Sequence, residues 1–121
     1  MNFKIDTKEK MYVITVEEDF LTVNMTGEMR NLLLPYLDQT IKNIIINLKQ
    51  VNQLDVEMAV CLAEIQATFY EAGNSMVLCE LKKNIQNYLD EKDLSDQLNI
   101  TPTESEAWDI VQMEEIEREF L

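Results

Sequence analysis

Apolar positions recur with two different periods along this chain, and the changes of period mark out its elements. "FKIDTKEK" and "MYVITVEED" read as two short strands joined by a charged turn. In the second, Met11, Val13 and Thr15 alternate with Tyr12, Ile14 and Val16. Both faces are therefore apolar, which predicts a strand inside a sheet. "LTVNMTGEMRNLLLPYLDQT" then switches to helical spacing through Met25, Met29, Leu32, Leu33, Tyr36 and Leu37. Gly27 weakens that helix, and Pro35 predicts a kink or a split near Leu34. "KNIIINLKQV" is the strongest strand, because the β-branched Ile44, Ile45 and Ile46 suit burial on both faces.

Residues 56–72 return to the helical period. Met58, Cys61, Leu62, Ile65 and Phe69 form one core stripe, and Gly73–Asn74 closes the helix. "SMVLCEL" is another strand apolar on both faces. "KKNIQNYLDEKDL" supplies a short helix through Ile85, Tyr88 and Leu89. "QLNITPT" is a last short strand stopped by Pro102. Thr103 and Glu106 form a capping box ahead of a final amphipathic helix carrying Trp108, Val111, Ile116 and Phe120. The order β-β-α-β-α-β-α-β-α implies parallel crossovers in one sheet, with one antiparallel strand added by the leading hairpin.

The chain has 121 residues, the size of one domain able to bury a core. Its net charge of −13 changes the list of partners. Nucleic acid and anionic membrane surfaces are disfavoured, because binding to phosphate rests on Lys and Arg. The absence of histidine removes Ser-His-Asp and Cys-His catalysis, His-ligated zinc and imidazole proton shuttling. Cys61 and Cys79 have the spacing of neither a metal site nor a redox pair, and each lies in an apolar segment as a small buried hydrophobe. The first ten residues hold no apolar signal core, and no apolar run reaches the about 18 residues of a membrane helix. A cytoplasmic location with no membrane insertion is expected.

The central stretch "IIINLKQVNQLDVEMAVCLAEI", in this element order, resembles the STAS domain, the fold of bacterial anti-sigma factor antagonists. In that family a buried strand ends in an Asp-Ser-Ser/Thr-Gly-Leu motif that runs straight into a helix. Ile44 to Leu48 match the strand, Val51 and Leu54 the approach, and Asp55 the signature acid. "AGNSMVLCEL" and "KKNIQNYLDEKDLSDQLNI" match the turn, strand and helix that follow. The resemblance implies one α/β domain over residues 1–121, a mixed, mostly parallel sheet of about five strands packed with about four helices. It also implies that the residue after the Asp is a hydroxyl phosphorylated by a partner kinase. Here that position is Val56, and residues 41–67 contain no Ser, Thr, Tyr or His. The usual switch cannot operate at this loop.

The helix after Asp55 carries more than its core stripe. Glu57, Glu64 and Glu71 fall on one line at seven-residue intervals. Beside that line, Val56, Val60, Ala63 and Ala67 form a second apolar strip, covered by a neighbouring helix or open as a docking surface. Asp55 suits a helix N-cap as well as a partner contact. Glu57 suits compensation of the helix dipole as well as a fixed negative charge near the family's phosphate position. Elsewhere, Glu17, Glu18 and Asp19 read as a solvated loop. The acids of "DEKDLSD" lack the Gly and terminal Glu of a calcium loop, and no phosphate loop is present. No catalytic residue, metal or cofactor is expected.

The expectation is therefore a non-enzymatic protein–protein interaction module of the antagonist type. It docks through Asp55, Val56, Glu57, Val60, Ala63 and Ala67 onto an anti-sigma factor or serine-kinase-like regulator. The alternatives are an accessory STAS subunit of a lipid-transport ABC system and a small-ligand-binding module at the same loop. The sequence leaves the oligomeric state open.

Overall fold

In the computed structural model, which describes residues 1–120, the strands are β1 (Phe3–Thr7), β2 (Met11–Val16), β3 (Phe20–Leu21), β4 (Asn43–Asn47), β5 (Gln53–Leu54), β6 (Met76–Cys79) and β7 (Ile100–Thr101). The helices are α1 (Thr26–Leu33), α2 (Val56–Glu71), α3 (Lys83–Glu91) and α4 (Glu104–Glu119). Five strands form the main sheet in the order β1-β2-β4-β6-β7. Only β1 pairs antiparallel, with Phe3 opposite Val16 and Thr7 opposite Tyr12. All other pairs in this sheet are parallel.

That order explains where the helices lie. From β2 onward every crossover steps in the same direction, so right-handed connections place α1, α2 and α3 on one face. Ile14, Val16, Ile44, Ile46, Met76 and Leu78 meet this layer, packing with Met29, Leu33, Leu62, Phe69, Ile85 and Leu89. The opposite face is covered by α4 alone, where Met11, Val13, Ile45, Val77 and Cys79 meet Ala107 and Val111. Ile44, Ile45 and Ile46 are fully buried and divide between the two layers, as their unbroken apolar run predicts. Each such side chain contributes about 2 kcal/mol through burial.

Local chemistry sets the ends of the elements. Pro35 ends regular α-helix at Leu33, and a 3-10 segment takes over at Leu34–Asp38. Gly73, at φ +78°, closes α2. Its N–H donates to the Tyr70 carbonyl at 3.0 Å and the Asn74 N–H to the Phe69 carbonyl at 2.9 Å, a Schellman closure. Both cysteines are buried and unpaired. Burial pushes the Cys79 thiol up to about 12, helped by Glu104 and Glu80 nearby.

The final helix corrects one expectation. Val111 is buried and Trp108 packs beside it, but Ile116 and Phe120 are 55% and 82% exposed. The residue that joins Val111 in the core is Ala107. α4 runs along the full length of β4, with Glu104 beside Asn47 and Glu115 beside Asn43. Ile116 lies about 140° round the helix from Val111, on the side turned away from the sheet. The sequence pattern also missed β3 and β5. These two-residue strands pair with each other outside the main sheet and are too short to show any periodicity.

Candidate partner-binding site

Asp55 closes the loop between β5 and α2 in extended backbone, at φ −72° and ψ 153°. Its carbonyl starts the helix by accepting the Ala59 N–H at 3.0 Å. Its carboxylate does not cap α2. Instead Oδ2 accepts the Val23 N–H at 2.8 Å, from the segment that follows β3. The N-cap expected from the sequence is thus present in the backbone and absent in the side chain. Tertiary pairing competes successfully for the carboxylate because Val23 is held directly opposite it. The Asp55 N–H donates to the Leu21 carbonyl at 2.9 Å, beside the Leu21–Leu54 strand pair.

The loop is fastened on both flanks. On one, the Asp19 carbonyl accepts the N–H groups of Asn52 and Gln53 at 2.8 and 3.1 Å. The Asp19 carboxylate also accepts the Asn52 side-chain amide at 3.0 Å. Asp19, expected as part of a solvated loop, is exposed and yet anchors residues 52–53. On the other flank, Lys82 Nζ donates to Asn52 Oδ1, and the Asn84 side-chain amide donates to the Asn52 carbonyl at 2.9 Å. Between the loop and α3 lies an open hollow of about 290 Å³ lined by Gln53, Leu54, Asp55, Asn84, Ile85 and Tyr88.

The second apolar strip of α2 faces outward. Val60 is 37% exposed and Ala67 is exposed, while Val56 and Ala63 are half-buried against the edge of the core. Glu57, Glu64 and Glu71 are exposed, and Glu64 pairs with Arg30 of α1 at 3.0 Å. Val56, Val60, Ala63 and Ala67 therefore lie along one strip running up α2 from Asp55, with Glu57 on the acidic line beside it. Sequence reasoning missed Phe20 and Val23, which are 52% and 46% exposed on the segment that grips Asp55. It also missed Asn52, which links the two flanks. Val23 reaches Asp55 from 32 positions away, and Asn52 reaches Asp19, Lys82 and Asn84 across 33, 30 and 32 positions. No local spacing signals such contacts.

Comparison with known proteins agrees with this architecture. The STAS domain family model matches residues 2–107. No curated protein sequence matches the chain. Among solved structures, TM1081 of Thermotoga maritima superposes with a TM-score of 0.75 at 17% identity, over 91% of this chain and 94% of that one. A serine-to-glutamate variant of RsbS from Moorella thermoacetica gives 0.73 at 18% identity, over 93% and 96%. The anti-sigma factor antagonist SpoIIAA in its unphosphorylated form gives 0.70 at 15% identity, over 92% and 96%. At these identities the likeness is one of fold.

Proposed function

The chain belongs to the STAS domain family, and from that membership and the geometry around Asp55 we propose a non-enzymatic protein-docking module of the anti-sigma factor antagonist type. The observation that carries this reading is the use made of Asp55. Its carboxylate fixes one loop against another, 32 residues away, where a helix cap would have served folding equally well. The result is a fastened rim bearing exposed Phe20 and Val23 at the start of α2, a helix that carries exposed Val60 and Ala67. Isolated exposed apolar residues are ordinary, but several gathered around a fastened loop have the make-up of an interface core. With Val56 at the family's hydroxyl position, docking here is constitutive. The partner is a protein whose contact surface is apolar at its centre and basic at its edge, matching the exposed Glu57 and the net charge of −13.

Affinity purification from the native host, with identification of captured proteins by mass spectrometry, tests the proposal. An anti-sigma or serine-kinase-like regulator is expected, and Val60→Glu should weaken its binding by about tenfold or more. Unchanged binding by that variant would remove the α2 strip from the interface. A second reading, a subunit of a membrane transporter, draws on the fold's likeness to part of the murine anion transporter Slc26a9. That match has a TM-score of 0.69 at 15% identity and covers 18% of the transporter chain. Capture of a permease or its ATPase would favour it. No helix among the described residues is long and apolar enough to cross a membrane.

A further inference from the structure

The two edges of the main sheet are finished differently. At one edge, β7 is two residues long and stops at Pro102, two devices that block further pairing. At the other, β1 runs five residues in unbroken register with β2, without proline or bulge. The Lys8 N–H donates to the Met11 carbonyl and the Glu17 N–H to the Asn2 carbonyl, both at 2.8 Å. With this register, the even-numbered residues of β1 bond to β2. The N–H and C=O groups of Phe3, Ile5 and Thr7 therefore point away from the sheet. Phe3 and Ile5 are also 39% and 38% exposed at their side chains.

From this edge we propose that β1 pairs antiparallel with β1 of a second copy of the chain, joining two five-stranded sheets across a two-fold axis at Ile5. Outward-facing groups occur only at odd positions, so the strand can pair with itself in few registers. In the register centred on Ile5, Phe3 lies opposite Thr7 of the second copy and Ile5 opposite its counterpart. On the other face, Lys4 lies opposite Asp6 and Asp6 opposite Lys4, two symmetric pairs of opposite charge. Sliding by two residues one way brings Lys4 onto Lys4, and the other way brings Asp6 onto Asp6. The charges thus select one register and a closed two-fold dimer. Long-range charge also permits the approach. On a chain of net charge −13, residues 1–10 hold three lysines against two acids, so like-charge repulsion along this strand is lower than over the chain as a whole.

Sedimentation velocity across about 1–500 µM protein tests the dimer, since an interface this small sits at the weak end of specific association. Concentration-dependent dimerisation is expected for the unaltered chain. Ile5→Pro removes an outward N–H and leaves the β1–β2 bonds intact, so this variant should be a folded monomer with unchanged circular dichroism. Lys4→Asp should weaken the dimer about tenfold, and adding Asp6→Lys should restore it. A wild-type chain that stays monomeric throughout overturns the proposal and leaves the edge to an extended strand of another protein. A dimer that survives Ile5→Pro, or a charge swap that fails to restore it, also overturns the proposal by locating association elsewhere.

Discussion

α2 and α4 are both 16 residues long, and both begin after a residue that favours the N-cap, Asp55 and Thr103. Both residues are in extended backbone. There the likeness stops. Thr103 Oγ1 accepts the Glu106 N–H at 3.2 Å, and the Glu80 carboxylate accepts the Glu104 N–H at 2.8 Å, so α4 is capped once locally and once from the end of β6. α2 has no side-chain cap, because Asp55 is turned onto Val23. α2 tolerates this because Met58, Ala59, Cys61, Leu62, Ile65 and Phe69 bury its inner face, and packing rather than end chemistry supplies most of a helix's stability in a folded protein. α4 buries only Ala107 and Val111 and is the helix that relies on its caps. A cap residue on a well-packed helix is free to serve another purpose.

Asp55→Ala is the strongest way to break the comparison. It leaves the Val23 N–H without its acceptor and unfastens the segment bearing Phe20 and Val23. A stability loss of about 1–2 kcal/mol by urea denaturation is expected, with faster amide exchange at Val23 and with partner binding largely lost. Wild-type exchange at Val23 would show that the carboxylate does not hold the rim. Thr103→Ala is the matched control. Loss of a local cap should cost about 1 kcal/mol, with no change in partner affinity, because α4 lies on the opposite face of the sheet from α2. Equal loss of binding in both variants would mean that Asp55 acts through general stability alone.

The same contrast shows what the chain displays to a reader and what it hides. Four of the five main strands and the four helices were legible from an apolar run or a period long enough to recognise, as with Ile44 to Ile46 or Met58 to Phe69. The two-residue β7 was marked by the Pro102 that stops it. Thr103 was legible as a cap because its partner Glu106 is three residues away. The strip Val56, Val60, Ala63 and Ala67 was legible because helix geometry alone places these residues on one face. The second role of Asp55 was not, since it depends on a segment 32 residues earlier that only tertiary folding brings near. The exposed end of α4 could have been read from spacing alone. Ile116 falls five residues after Val111, about 140° round the helix, and so leaves the face that Ala107 and Val111 bury.

The smallest expected effect separates charge from packing at the start of α2. Glu57 and Glu104 both lie in the first turn of a helix, where a carboxylate favours the dipole by a few tenths to about 1 kcal/mol. Glu104 has further partners, since its side chain accepts the Asn47 amide at 3.1 Å. Glu57 is exposed, so Glu57→Gln should cost no more than about 0.5 kcal/mol. If its charge also guides a basic partner to the rim, the variant will bind more slowly at low salt, and the difference will vanish above about 0.5 M as screening removes the field. Identical association rates at every salt concentration would leave Glu57 with its dipole role alone. The docking surface would then rest on the apolar strip and on the loop that Asp55 holds in place.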